Sequence, residues 1–272
     1  MMDKFKIWAL VLMMAGASVA VAQEEVVADS SSVAASAGQS GAVAGKAQAD
    51  EAYAAGRYAE AAGLYEQIIA GQGVSSVLYY NLGNCYYKTS ELAKAILNYE
   101  RALLLNPGDA DARFNLELAR SKTVDKITPL RELFFITWAK GVANLQSSDA
   151  WAQTAIVCFI ICLLSVLLYL FSRRTALRKG AFFAALILLV VCIVANAAAS
   201  YQKGVLEERT QAIVMQPSVT AKSTPDNSGT DLFVLHEGCK VEIKDDSMRG
   251  WKEIRLADGN VGWIPVEAIE II

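Results

Sequence analysis

His236 is the only histidine in the sequence, and that alone narrows the chemistry open to it. A metal cluster built on imidazoles cannot be assembled from one such chain, and a Ser–His dyad would have to use His236 itself. Its place beside Glu237-Gly238 fits a residue that caps a strand. The phosphate-cradling pattern G-x-x-x-x-G-K-[ST] does not occur. Asp245-Asp246 and Glu24-Glu25 sit in turn-rich or low-complexity text, where a solvated charge is the default. Of the five cysteines, Cys158, Cys162 and Cys192 fall inside long uncharged runs. Cys158 and Cys162 share a helix face without a polar ligand beside them, which is a packing pattern. Cys85 and Cys239 fall in separate segments, either buried as thiols or joined by a disulfide in an oxidising compartment. No catalytic residue, metal site or cofactor is expected; the chemistry is recognition.

Four cations, Arg173, Arg174, Arg178 and Lys179, stand together in residues 172–179. On either side lie uncharged stretches, Ala155–Phe171 and Gly180–Ala199. A helix needs about 20 apolar residues to cross a bilayer, because no water is present there to satisfy its backbone. Residues 151–171 and 180–201 are therefore expected to be two membrane helices joined by a short basic loop. Basic loops stay cytoplasmic, so the flanking parts belong on the opposite side, with Trp151 and Tyr201 at that far interface. Composition agrees, with 54% apolar and 19% charged residues, against roughly half and a quarter in soluble domains. The net charge is −3. Away from the loop no basic face stands out, so nucleic acid is not an expected partner.

Residues 1–22 carry Lys4 and Lys6, an apolar run, and Ala20-Val21-Ala22, the pattern of a secretory signal peptide. Residues 23–45 are rich in Ala, Ser, Gly and Val and lack aromatics. That composition buries too little surface to offset ordering, so a flexible leader is expected.

Residues 46–122 turn helical and repeat. Tyr65 laid over Tyr99 aligns Tyr58 with Leu92, Ala61 with Ala95 and Ile68 with Ala102, an offset of 34 residues. Tyr79, Leu82, Gly83, Tyr86, Ala95, Tyr99, Ala102 and Pro107 resemble the tetratricopeptide pattern, with Tyr in place of the usual Trp and Phe. Gly83 and Ala95 would let two helices approach. The first copy is degenerate, with Ala49 in the place of Gly83, and Asp109–Lys122 is a partial third copy. The resemblance implies an α-solenoid whose concave face binds a peptide or protein. Its groove positions fall on Tyr53, Tyr80, Asn84, Tyr87 and Lys88, with Asp50 equivalent to Asn84. These tyrosines either line such a groove or pack internally. The basic groups with which similar repeats clamp a carboxyl terminus are not all present.

Residues 123–150 connect the repeats to the first apolar run. Leu130, Phe134 and Trp138 recur every fourth residue and predict one apolar helical face. That face either lies on a bilayer or caps the last repeat.

Residues 211–272 change to a period of two. Strands are expected at Gln211–Met215, Asp231–Leu235, Lys240–Lys244, Trp251–Leu256 and Val261–Pro265, with a last near Ala268–Ile271. Asp258-Gly259 is a hairpin signal. Trp251-Lys252-Glu253-Ile254 and Gly262-Trp263-Ile264-Pro265 resemble a bacterial SH3-like domain, which implies a small all-β barrel. Trp251, Trp263 and Pro265 match positions that receive polyproline in eukaryotic relatives. Ala268 stands where those relatives carry Tyr, so packing roles for the tryptophans compete with binding.

In this order, signal peptide, short repeat array, two spans and terminal barrel, the chain resembles the aerotolerance-operon (BatE-like) repeat proteins of Bacteroides-type bacteria. The resemblance implies a multidomain α + β protein of the inner membrane with its folded parts in the periplasm. It also implies a non-catalytic scaffold for an envelope-stress complex with von Willebrand-type partners. The alternative is a cell-wall module whose barrel contacts peptidoglycan peptides.

Overall fold

The computed structural model describes residues 45–272. The expected signal peptide (1–22), and the leader up to residue 44, lie outside the described residues. The described chain divides into two compact units, one made of residues 153–194 and the other of residues 45–152 with 195–272.

The larger unit begins with five helices: α1 (residues 45–54), α2 (Tyr58–Gln72), α3 (Ser76–Lys88), α4 (Leu92–Leu105) and α5 (Ala110–Ser121). Each is specified locally. Ser75 caps α3, its hydroxyl accepting from Leu78 N–H at 3.2 Å, and Asp109 caps α5 by accepting from Ala112 N–H at 3.0 Å. The buried residues of α3, Leu78, Leu82, Cys85 and Tyr86, follow helical spacing. The turn into α2 uses Gly56 at φ 77°, and the turn into α4 uses Ser90 at φ 68°, 34 residues later. A left-handed residue is natural for Gly and costly for Ser.

Helix α4 is the most deeply set, with Ala95, Ile96, Leu97, Asn98, Tyr99 and Glu100 all buried. It pairs with α3 on one side, with α5 on another, and with the C-terminal sheet.

That sheet has seven antiparallel strands: β1 (Gln211–Val214), β2 (Ser218–Lys222), β3 (Asp231–His236), β4 (Lys240–Asp245), β5 (Trp251–Arg255), β6 (Val261–Pro265) and β7 (Ile269–Ile271). Their order is β3-β2-β6-β5-β4-β1-β7. β2 was not among the expected strands. Only Val219 and the small Ala221 point inward from it, so its alternation is faint in the sequence.

β1 is buried on both faces. Ala212 and Val214 enter the sheet's own core with Val241, Ile254 and Ile264. Ile213, pointing the other way, joins Ile272 in the apolar cluster of the repeats with Tyr65, Ile96 and Tyr99. Burial of two such side chains stabilises the joint by about 2 kcal/mol each. Polar links surround it. Arg101 donates to Glu270 at 2.9 Å and to the Ile271 carbonyl at 2.7 Å. Glu100 accepts from Arg120 and, at 2.8 Å, from Lys240. Gly238, at φ 81°, brings the β3–β4 turn so close that a Cβ there would stand 2.9 Å from Ile96 Cδ1.

After the repeats the connector is extended until α6 (Phe134–Ala143). The apolar helix expected from Leu130 thus starts four residues later. Leu130 is extended instead, its N–H bonded to the Ala257 carbonyl at 2.9 Å.

Helices α7 (Ser148–Phe171) and α8 (Thr175–Glu208) are both long and apolar enough to cross a membrane. Both run beyond the expected limits. The turn between them shrinks to residues 172–174, and Arg178 and Lys179 lie in the first turns of α8. At its other end α8 continues past Tyr201 to Glu208; the stretch holds no proline, and Gly204 does not end the helix. Within residues 153–194 the hairpin is held by Cys162 donating to the Ala185 carbonyl at 3.4 Å and by Tyr169 against Phe182 at 6.0 Å. Arg178 sits 5.1 Å over the Tyr169 ring.

Candidate protein-binding surface

The repeat helices place Tyr53 on α1 and Tyr80, Asn84, Tyr87 and Lys88 on α3. The tyrosines and Asn84 are half-buried and Lys88 is exposed. The spacing of the α3 residues puts all four along one side of the helix. The adjoining flank of α3 packs on α4, where a Cβ on Gly83 would stand 2.8 Å from the Tyr99 ring and 3.3 Å from the Ala95 carbonyl. Such an approach allows only glycine.

Hydrogen bonds divide these candidates. Asn84 Oδ1 accepts from the Tyr99 hydroxyl at 2.8 Å and from Asn115 Nδ2 at 2.9 Å. Its acceptor is thus spent inside the array. Asp50, its counterpart, accepts from the Tyr65 hydroxyl and from Lys46 at 2.6 Å. Burial raises the Asp50 pKa, but these two donors outweigh it and hold the carboxyl below its usual range. Burial likewise drives the Tyr65 and Tyr99 hydroxyls upward, so both remain donors. Tyr53, Tyr80 and Tyr87 are half-buried against the apolar cluster of the repeats, and Lys88 is exposed. Asn115 reaches the Tyr80 oxygen at 3.3 Å, and the Lys122 ammonium lies 4.3 Å over the Tyr87 ring.

Residues 76–109 match the tetratricopeptide repeat. No curated protein and no solved structure matches the chain. Such repeats are interaction modules for other proteins.

The segment Asp109–Lys122 carries further exposed residues at the matching positions, of which Leu118 and Lys122 were not expected. Phe114 and Leu118 on α5, and Lys122 just after it, stand 34 residues after Tyr80, Asn84 and Lys88. Phe114 is 66% exposed, and Leu118 and Lys122 are exposed as well. Adding the repeat offset to the α3 positions would have found them. The surface is aromatic and apolar, with Lys88 and Lys122 as its cations.

On the sheet, Trp251 pairs with Pro265, Glu253 with Trp263, and Trp263 with Lys222. The two-residue period of β5 and β6 therefore sets Trp251, Trp263 and Pro265 on one face, together with Glu253 and Lys222. All three are half-buried, and Ala268 is fully buried rather than lining a pocket. His236 ends β3. Its N–H donates to Asp125 Oδ2 at 2.7 Å and its Nδ1 lies 2.9 Å from Oδ1, so it fastens the connector to the sheet. The five cysteines are all described, and none forms a disulfide. Burial pushes the Cys85 thiol up to about 11 and the Cys239 thiol up to about 12. Arg173, Arg174, Arg178 and Lys179 are exposed around the α7–α8 turn.

Proposed function

We propose that the chain is a membrane-anchored scaffold that holds protein partners on its tetratricopeptide surface. Helices α7 and α8 cross the bilayer and return, with the basic turn in the cytoplasm. The observation that carries this reading is the shared core of the repeats and the sheet. The segment before the two apolar helices and the segment after them interlock through Ile213, Ile272, Arg101–Glu270 and Glu100–Lys240. A chain that folds back on itself in this way must return to the side it left, which two crossings do. The body then stands in the periplasm above the inner membrane. This order of parts supports a BatE-like role in an aerotolerance or envelope-stress complex, with von Willebrand-type proteins as partners and the sheet as an SH3-like cap on the array.

Partner capture falls to Tyr53, Tyr80 and Tyr87 with Lys88, extended by Phe114 and Leu118. A photo-crosslinking amino acid at Tyr80 in the full-length protein should trap a partner in cells. The same group at Val234, exposed on the sheet, should not trap it. Equal yields from both positions would defeat the groove.

A second reading draws on the shared face of Trp251, Trp263 and Pro265. In that reading the sheet binds peptidoglycan peptides and the repeats localise the contact. Retention of full-length protein on sacculi, lost in Trp251→Ala with Trp263→Ala, would favour it.

A further inference from the structure

Residues 128–139 are exposed without interruption. Among them are Leu133, Phe134, Phe135 and Trp138, with Phe134 at 84% and Trp138 at 71% exposure. Of the ten residues of α6 only Ala143 is buried, so this helix does not cap the last repeat. Soluble surfaces rarely carry so large a contiguous apolar patch without a partner or a membrane against it. Phe134 and Trp138, four residues apart, project from the same side of the helix.

The far end of α6 is fixed. The Ala143 carbonyl accepts from the Trp151 indole at 2.8 Å and from the Gln202 amide, and Gln202 also donates to the Gln146 carbonyl at 2.7 Å. Trp151 lies in the first turns of α7, and Gln202 lies in α8 just after its apolar run. Both are buried. The end of α6 is thereby bonded to the two places where apolar helices give way to polar chain. Only residues 144–147 separate α6 from α7, a reach of about 14 Å at full extension.

We infer that α6 is an interfacial helix. It lies in the headgroup layer of the bilayer that α7 and α8 cross, with Phe134 and Trp138 against the outer ends of the acyl chains. Aromatic side chains favour that layer because it is apolar on one side and wet on the other. The Glu132–Lys140 pair, at 2.6 Å, supplies the helix with a polar edge. The connector is tied to the sheet by Asp125–His236 and by Leu130 to Ala257. The interfacial helix therefore holds the folded body close to the membrane surface. The inference rests on the membrane reading proposed above.

The test uses the full-length protein in vesicles of phosphatidylethanolamine and phosphatidylglycerol. A spin label is attached through a ketone-bearing amino acid at Phe134, Ile161 or Val234, leaving the native cysteines untouched. All three positions are exposed, so the label has room. Collisions with oxygen should exceed those with a water-soluble nickel chelate at Ile161 and, at shallower depth, at Phe134. At Val234 the nickel chelate should dominate. If Phe134 behaves like Val234 while Ile161 remains lipid-facing, the spans stand and the interfacial helix is overturned in favour of a protein-covered face. If Ile161 itself is reached by nickel, the spans fail and the interfacial helix falls with them.

Discussion

The Tyr99 hydroxyl donates to Asn84 Oδ1 at 2.8 Å, and the same bond recurs one repeat earlier between Tyr65 and Asp50. The second helix of each unit thus signs the first with a tyrosine. Tyr99 is 1% exposed, so its hydroxyl has no water to fall back on. Asn84→Ala should therefore destabilise the repeats by about 2 kcal/mol, the cost of an orphaned buried donor. Tyr99→Phe should cost only about 1 kcal/mol, because Asn115 still satisfies Asn84. Urea unfolding of the detergent-solubilised protein, followed by helical circular dichroism, measures both. The reverse order would mean that Asn84 is turned to the surface.

Gly83→Ala should be worse than its single methyl suggests. The new carbon meets the buried Tyr99 ring at 2.8 Å, and neither helix has slack. Overpacking of about 2 kcal/mol is expected. Tyr80→Ala with Tyr87→Ala should leave helicity nearly intact while reducing the amount of partner that co-purifies with the protein. If the paired variant melts as early as Gly83→Ala, those tyrosines are structural.

Much of this was legible beforehand, and the reason is periodicity. The 34-residue offset, the small Gly83 and Ala95, and the alternation of Val241 and Ile243 are local signals that survive in a single sequence. What escaped is long-range. Nothing near Arg101 announces a bond to Glu270, and nothing in Gln211–Val214 says that Ile213 leaves the sheet to enter the repeats. The position of Asn84 in the repeat pattern points to the groove, whereas its bond to Tyr99 depends on a residue in the next helix. The α7–α8 turn is shorter than the run of cations suggests, because arginine and lysine are good helix formers and Arg178 and Lys179 enter α8.

Glu100 bridges the repeats and the sheet. Its side chain is 9% exposed and faces Arg120 and Lys240. Glu100→Gln should destabilise the joint by about 2 kcal/mol, since two cations lose a charged acceptor. Limited proteolysis should then cut the connector around residues 123–130 faster, with the helical signal retained. Unchanged cleavage would show that apolar contact alone holds the sheet.

Cys85 and Cys239 should remain thiols. A non-reducing gel should show no shift, and iodoacetamide at neutral pH should label them only after unfolding. Burial raises both, to about 11 and about 12, against 9.0 for a free thiol. The folded state keeps protons that the unfolded chain loses above pH 9, so this contribution to stability is intact below that pH and declines from about 9 towards 11 for Cys85 and towards 12 for Cys239. Replacing both by Ser should flatten that alkaline limb. A disulfide-dependent gel shift in the wild type would contradict the separate burial.

The decisive question is whether the repeats and the sheet share one side of a membrane, opposite the basic turn. A reporter active only in the periplasm can be fused after Ile272, and another copy inserted between Ser172 and Arg173, each in the full-length chain expressed in bacteria. Activity is expected after Ile272 and none at the turn, with a cytoplasm-active reporter giving the inverse pattern. Periplasmic activity at residues 172–173, or cytoplasmic activity after Ile272, would contradict it.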